Sequence, residues 1–209
     1  MEEMVKLRVE EKAKKQEIMK IVSSKIRKIL ENTNLNFERL QELRLRMNEP
    51  LILIYDGSEI LLSEQGRTVS DPNDSYFVTA ADIKETLEYI SNFSLYAYED
   101  EIRQGFITVQ GGHRIGLAGK VIMEQGQVKS VKHISFINIR MSHEKKGCGK
   151  EVLPYIYDGQ QVCHTLIISP PGGGKTTLLR DVVRMISDGN ENHPGISVGI
   201  VDERSELGA

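Results

Sequence analysis

The sequence predicts a chain of helices and strands in two parts. An α+β part with antiparallel strands comes first, and an α/β strand–helix–strand unit follows. Three observations carry this reading. Short β-rich apolar runs are joined by the hairpin signals Asp56-Gly57 and Gly111-Gly112. A long segment without Gly or Pro precedes them. After the charged, glycine-rich stretch His143 to Gly149 the pattern changes: an apolar run leads into a glycine loop, a helix and a second apolar run.

The elements follow in order. Residues from about Val5 to Leu43 read as helical, with Ile18, Val22, Ile26, Ile29 and Leu30 at helical spacing and a solvated face of lysines and glutamates. Leu51 to Tyr55 and Glu59 to Leu62 read as strands around the Asp56-Gly57 turn. Gly66 to Ser75 is polar and turn-rich. Thr79, with Asp82 three residues on, has the form of a helix N-cap and its box partner, and Ile83, Leu87 and Ile90 line one face of the helix that follows. Beyond Asn92, strands are expected at Phe106 to Val109, His113 to Met123 and Val128 to Arg140. In the last part, Thr165 to Ile168 and Ile196 to Val201 read as strands flanking a helix from about Lys175 to Ser187. The expected organisation is therefore a helical segment over 1–45, an α+β domain over 46–147 and the start of a second domain over 148–209.

Composition narrows the function classes. The chain has 209 residues, 39% hydrophobic and 27% charged, as ordinary globular proteins do. A net charge of -3 and the absence of tryptophan speak against a general nucleic-acid binder. Cys148 and Cys163 lack metal or redox spacing and read as reduced thiols. His113 and His133 have no ligand-like neighbours in sequence and read as core or surface residues. No run approaches the ~18 apolar residues of a membrane span, and the N-terminus has no signal-peptide character. A cytoplasmic location is expected, with any membrane role coming through a partner and no direct insertion.

The chemistry is concentrated in Ser169-Pro170-Pro171-Gly172-Gly173-Gly174-Lys175-Thr176-Thr177. Backbone N–H groups can cradle a phosphate chain only where no Cβ blocks the approach, which suits three successive glycines. A helix starting near Lys175 directs its positive dipole end to the same place. Lys175 then supplies a point charge for the β- and γ-phosphates, Thr176 a hydroxyl ligand for Mg²⁺, and Thr177 a reach to the α-phosphate. The pattern is G-x-x-x-x-G-K-[ST] with Ser169 in place of the first glycine, set between an apolar strand and a helix as that motif requires. The ligands expected are ATP and Mg²⁺.

At this point the sequence resembles a known family, the stage III sporulation protein AA of endospore-forming bacteria. The stretches that carry the resemblance are LQELRLRMNEPLIL, YEDEIRQGFITVQGGHRIGLAGKV, INIRMSHE, IISPPGGGKTTLLRD and GIVDERSEL, in order from about Leu40 to Leu207. The family is similar to the ATPases of type II and type IV secretion and pilus machines. The resemblance implies a P-loop NTPase with a RecA-like core, incomplete here, preceded by the α+β domain. It also implies a homo-hexameric ring on the mother-cell side of the channel joining mother cell and forespore, with membrane channel proteins of the sporulation apparatus as partners.

The same resemblance guides the acidic residues and the arginines. Asp202 and Glu203 correspond to the acidic box of secretion ATPases rather than to a Walker B pair, whose strand is expected beyond Ala209. Glu203 is then the candidate general base, with Asp202 assisting through Mg²⁺ or its waters; a structural ion pair with Arg204 is the alternative. Arg140 resembles the arginine that such enzymes use to neutralise charge on the γ-phosphate, with Arg103 and Arg114 as second choices. A truncated chain is expected to bind nucleotide and hydrolyse it poorly. Two rival readings remain: a nucleic-acid-dependent RecA-like ATPase, and an assembly protein that binds nucleotide without turnover.

Overall fold

A computed structural model describes residues 14–109, 111–142, 146–170, 173–202 and 207. The chain forms two compact units, Met1–Ser142 and His143–Ala209.

The first unit is a sheet covered on one face by helices. Helix α1 (residues 14–21) and helix α2 (Ser24–Glu31) lead through a 3-10 turn at Phe37–Arg39 into strand β1 (Leu40–Arg46). Strands β2 (Ile52–Tyr55), β3 (Ser58–Leu62) and β4 (Thr68–Val69) follow, then helices α3 (Ala80–Ile90) and α4 (Glu99–Gln104), and then β5 (Phe106–Val109), β6 (His113–Glu124) and β7 (Gln127–Arg140). The sheet order is β4-β3-β2-β1-β7-β6-β5, and every pairing is antiparallel.

The register places one apolar set on one face. Leu43 sits opposite Leu53 on one side and Ile139 on the other. Ile139 faces Ile115, which faces Ile107. These side chains are buried with Ile18, Val22, Ile26, Ile29, Leu30, Ile83, Leu87 and Ile90 from the helices. Glu42, Arg44, Arg114 and Arg140 point the other way, so one face is polar and one is core, as antiparallel sheets permit.

Both expected hairpin and cap signals form. Asp56 and Gly57 have φ of 50° and 77°, the two positive angles of a type I′ turn, between the paired residues Tyr55 and Ser58. Thr79 and Asp82 form a reciprocal capping box on α3. The buried Asp82 also ties α3 to α2. Its carboxylate accepts from Ser23 Oγ at 2.7 Å, Tyr76 Oη at 2.6 Å and Thr79 N at 2.9 Å, while Ser23 caps α2 and donates its N–H to Thr86 Oγ1 at 3.0 Å. Burial disfavours the Asp82 carboxylate, but these donors outweigh it and hold its pKa below the ordinary value.

The helical reading of residues 5–43 requires correction. Residues before 14 lie outside the described residues. Within them, the helical run is broken at Ser23, and residues 40–46 form the strand between β2 and β7. Leu, Glu, Gln and Arg favour helix in isolation, but Leu43 and Leu45 alternate into the core, and tertiary pairing overrides the local preference. The segment expected as a separate helical part over 1–45 thus shares one core with the strands that follow. Helix α4, in a stretch read as leading straight to strands, and β4, in the stretch read as turn-rich, are further additions.

In the second unit, α5 (Leu153–Ile156), the hairpin β8 (Tyr157–Asp158) and β9 (Gln161–Val162), and helix α6 (Lys175–Asp188) enclose a small core of Leu153, Ile156, Val182 and Ile186. The strands expected at 165–168 and 196–201 do not form. Neither run joins a ladder among the described residues, and Leu166 and Ile168 are about four-fifths exposed. A buried strand needs partners on its edges and cover on its faces, and the described residues provide neither.

Candidate functional site: a glycine loop at the head of a helix

Helix α6 begins where the notable loop ends. Gly174 precedes it with φ 80°, a left-handed angle that a side chain would strain. Gly173 is needed for a different reason: a Cβ there would lie 2.6 Å from Ser169 Oγ and 3.1 Å from Pro170 O. Its N–H donates to Pro170 O at 3.1 Å, which closes the loop on itself.

The Lys175 ammonium lies back over this loop. It donates to Ser169 O at 2.8 Å and Pro170 O at 3.1 Å, with Ser169 Oγ at 3.4 Å. The structure therefore brings Ser169, Pro170, Gly173, Gly174 and Lys175 together around one cation at a helix N-terminus. Pro171 and Gly172 lie outside the described residues. Thr176 and Thr177 occupy the first turn of α6, and Thr177 O accepts a weak bond from Cys148 Sγ at 3.8 Å.

A phosphate group fits this donor set. Among the described residues the ammonium is held by neutral oxygens, the loop excludes a Cβ where the backbone is tightest, and the helix N-terminus adds partial positive charge.

A support behind the loop was not anticipated. Asp181, buried on α6, accepts from Gly149 N at 2.7 Å and from Arg184 at 2.7 and 3.2 Å. Burial disfavours its charge, yet the Gly149 N–H and the Arg184 guanidinium hold its pKa below the ordinary carboxylate value. Gly149 fits closely, since a Cβ would meet Val182 Cγ2 at 3.0 Å. The sequence signal was present: Leu178, Asp181, Val182 and Met185 follow the i, i+3, i+4, i+7 spacing of a buried stripe, so an acid falls within it.

The remaining candidates lie on other elements. Asp202 Oδ2 accepts from Leu207 N at 2.6 Å, and Glu203 lies outside the described residues. Arg140, on the polar face of the first unit, is largely exposed with Nε 3.8 Å from Glu42. It is directly opposite Arg114, whose guanidinium stacks 4.0 Å above the Phe106 ring. Arg103 pairs with Asp100 at 2.7 Å. His113 is buried, its Nδ1 accepting from Ser142 N at 3.0 Å and its Nε2 lying 3.2 Å from Glu17. Among the described residues, no helix is long and apolar enough to cross a membrane.

The family profile described as "Sporulation stage III, protein AA" matches residues 12–209. The chain is 44% identical over 168 residues to the stage III sporulation protein AA of Bacillus subtilis (strain 168), covering 80% of this chain and 50% of that protein. The chain belongs to the sporulation stage III protein AA family. It spans about half the length of the curated relative it matches. Among solved structures, the Legionella pneumophila ATPase DotB is similar over 74% of this chain and 40% of that one, at 11% identity and a TM-score of 0.41.

Proposed function

We propose that the second unit is the nucleotide-binding head of an ATPase in this sporulation family. In this reading it belongs to a RecA-like P-loop core that binds Mg²⁺-ATP and works in a homo-hexameric ring on channel proteins between mother cell and forespore, from the mother-cell cytoplasm. The observation that supports it is the Lys175 ammonium, folded over the Ser169 and Pro170 carbonyls at the start of α6. Lys175 would exchange those neutral oxygens for the β- and γ-phosphates, and Gly173 and Gly174 would let backbone N–H groups approach. Thr176 would hold Mg²⁺ and Thr177 would reach the α-phosphate. The metal, when bound, supplies charge neutralisation along the phosphate chain. Glu203 would accept the proton of an attacking water, Asp202 would assist it, and Arg140 would counter charge growing on the γ-phosphate. The apolar runs at 166–168 and 196–201 are surfaces on which further strands of such a core would pair.

The test is Mg²⁺-ATP binding by calorimetry to the chain and to Lys175→Ala. A charge-assisted bond of about 1.5–3 kcal/mol predicts affinity lower by roughly ten- to 150-fold in the variant. Equal affinity of the two proteins, or no binding by either, refutes the assignment of the loop.

A further inference from the structure

The strand register lays out the outward face of the first sheet in rows. Phe106 of β5, Gly116 of β6, Asn138 of β7 and Arg44 of β1 are opposite one another in turn. Two residues along in one direction, the row is Thr108, Arg114, Arg140 and Glu42. Two residues along in the other, it is Ala118, Phe136 and Arg46. Residues two apart on a strand share a face, so all of these point away from the core that Ile107, Ile115, Ile137 and Ile139 form with the helices.

This face is locally basic, although the whole chain carries a net charge of -3. From β5 to β7 its rows hold Arg114 and Arg140 and no acid. Acids enter at β1 and β3, where Glu42 and Glu59 hold Arg44. Arg46, at the end of β1, forms no ion pair among the described residues.

The same face offers surfaces for flat rings. Phe136 is 44% exposed beside Ala118 and Arg46, where the polar side of an antiparallel sheet would ordinarily carry a polar residue. The Arg114 guanidinium covers Phe106, 4.0 Å from the ring centre. The floor between is low, being made by Gly116 and Ala118. A Cβ on Gly116 would meet nothing nearer than Asn138 Cβ at 3.8 Å, so packing does not require glycine there. Asn138 Oδ1, beside this floor, is buried with no hydrogen-bond partner, an orphan acceptor that a donor arriving on the face would satisfy. Strand spacing of ~4.8 Å and a rise of ~3.4 Å per residue put Phe106 and Phe136 roughly 12 Å apart, two strands across and two residues along.

We propose that this face binds single-stranded nucleic acid. One base stacks on Phe136 and another on the Arg114–Phe106 pair, while Arg46 takes a phosphate. Open antiparallel sheets hold single strands in this way, with bases on aromatic rings and guanidinium groups and cations along the backbone. An acidic peptide would satisfy the arginines and leave the rings unused. The inference goes beyond the proposed function and does not depend on the glycine loop.

Fluorescence anisotropy with a labelled oligothymidylate of about 16 nucleotides tests it on the whole chain. The wild type should bind this strand, and bind its duplex with oligodeoxyadenylate more weakly, because paired bases cannot lie flat on the rings. Phe136→Leu keeps an apolar side chain but removes the ring, and should lower affinity about fivefold or more. Arg46→Gln should reduce the slope of log affinity against log salt by about 0.7, the value of one phosphate contact on a single strand. Asn138→Ala should bind roughly two- to tenfold more weakly with no fall in its urea midpoint, since no bond within the fold is lost. Lys175→Ala should bind the strand like wild type, which separates this face from the glycine loop. No binding by the wild type, a duplex bound as tightly as the single strand, or wild-type affinity in Phe136→Leu overturns the proposal. So does loss of binding in Lys175→Ala, which would assign the oligonucleotide phosphates to the loop. Polyglutamate that competes as well as unlabelled strand would assign the arginines to an acidic protein surface and overturn it too.

Discussion

Replacing Asp181 with alanine should loosen the second unit by about 1–4 kcal/mol. The largest part is the buried Gly149 N–H, which loses its 2.7 Å acceptor and costs about 1–3 kcal/mol when left unsatisfied. The Arg184 contribution is smaller. That side chain is about one-third exposed and keeps Asp188 at 3.1 Å, so solvent and the second carboxylate compensate, leaving about 0–1 kcal/mol. With a denaturant slope of about 1–2 kcal/mol per M for a small unit, the urea midpoint should fall by about 0.5 M or more. Asp181→Asn retains an oxygen for Gly149 and should recover most of the loss at neutral pH. The pH dependence has a fixed sign. The folded-state pKa lies below the ordinary 3.8, so the stabilisation from the charged form is present above that value and disappears as pH falls through the lower, folded one. The gap between wild type and Asp181→Asn should therefore narrow only in acid. Hydrogen exchange at the Gly149 amide gives a local reading: protection should drop in Asp181→Ala and persist in Asp181→Asn. An alanine variant with wild-type midpoint and wild-type Gly149 protection would refute the reasoning.

Two further outcomes are expected. Gly173→Ala should lower Mg²⁺-ATP affinity by roughly tenfold while α6 stays helical by circular dichroism, because the new methyl meets Ser169 Oγ at 2.6 Å; adding Ser169→Ala should restore only part of the affinity, since Pro170 O remains at 3.1 Å. Asp82→Ala should destabilise the first unit by about 3 kcal/mol in urea, as the Ser23 and Tyr76 hydroxyls and the α3 cap lose one shared acceptor. Burial and the Asp82 carboxylate both push the Tyr76 phenol up, so its ionisation, followed by ultraviolet absorbance, should move to lower pH in that variant.

What the sequence revealed depended on how local the cause was. The Asp56-Gly57 turn, the Thr79–Asp82 box and the β5, β6 and β7 runs are each specified by residues close together, and all were legible. Strand β1 was not, because Leu40–Arg46 is composed of good helix formers and becomes a strand only through pairing with Ile52–Tyr55 and with the end of β7. The runs at 165–168 and 196–201 failed in the opposite direction. Their composition is that of buried strands, but composition cannot provide the neighbours that would bury them. In the candidate site, the loop residues were legible from spacing, and Asp181 was missed because its role is to accept a hydrogen bond from Gly149, 32 positions away.

The same distinction separates binding from turnover. The cradle around Lys175 is closed by short-range contacts, Gly173 N to Pro170 O, Leu178 N to Gly174 O and the ammonium to Ser169 O, all between residues 169 and 178. None of these contacts uses the exposed apolar runs, so the loop can hold its shape while its flanking segments lack a sheet. The groups proposed for hydrolysis have no such independence. Arg140 belongs to the other unit and pairs with Glu42, and Asp202 is engaged by Leu207 N within its own segment. General-base and charge-neutralising groups act only when held within hydrogen-bond reach of the reacting atoms. Local geometry thus supports the proposed nucleotide loop by itself, whereas the proposed roles of Arg140, Asp202 and Glu203 require those groups to be brought within reach of the bound phosphates.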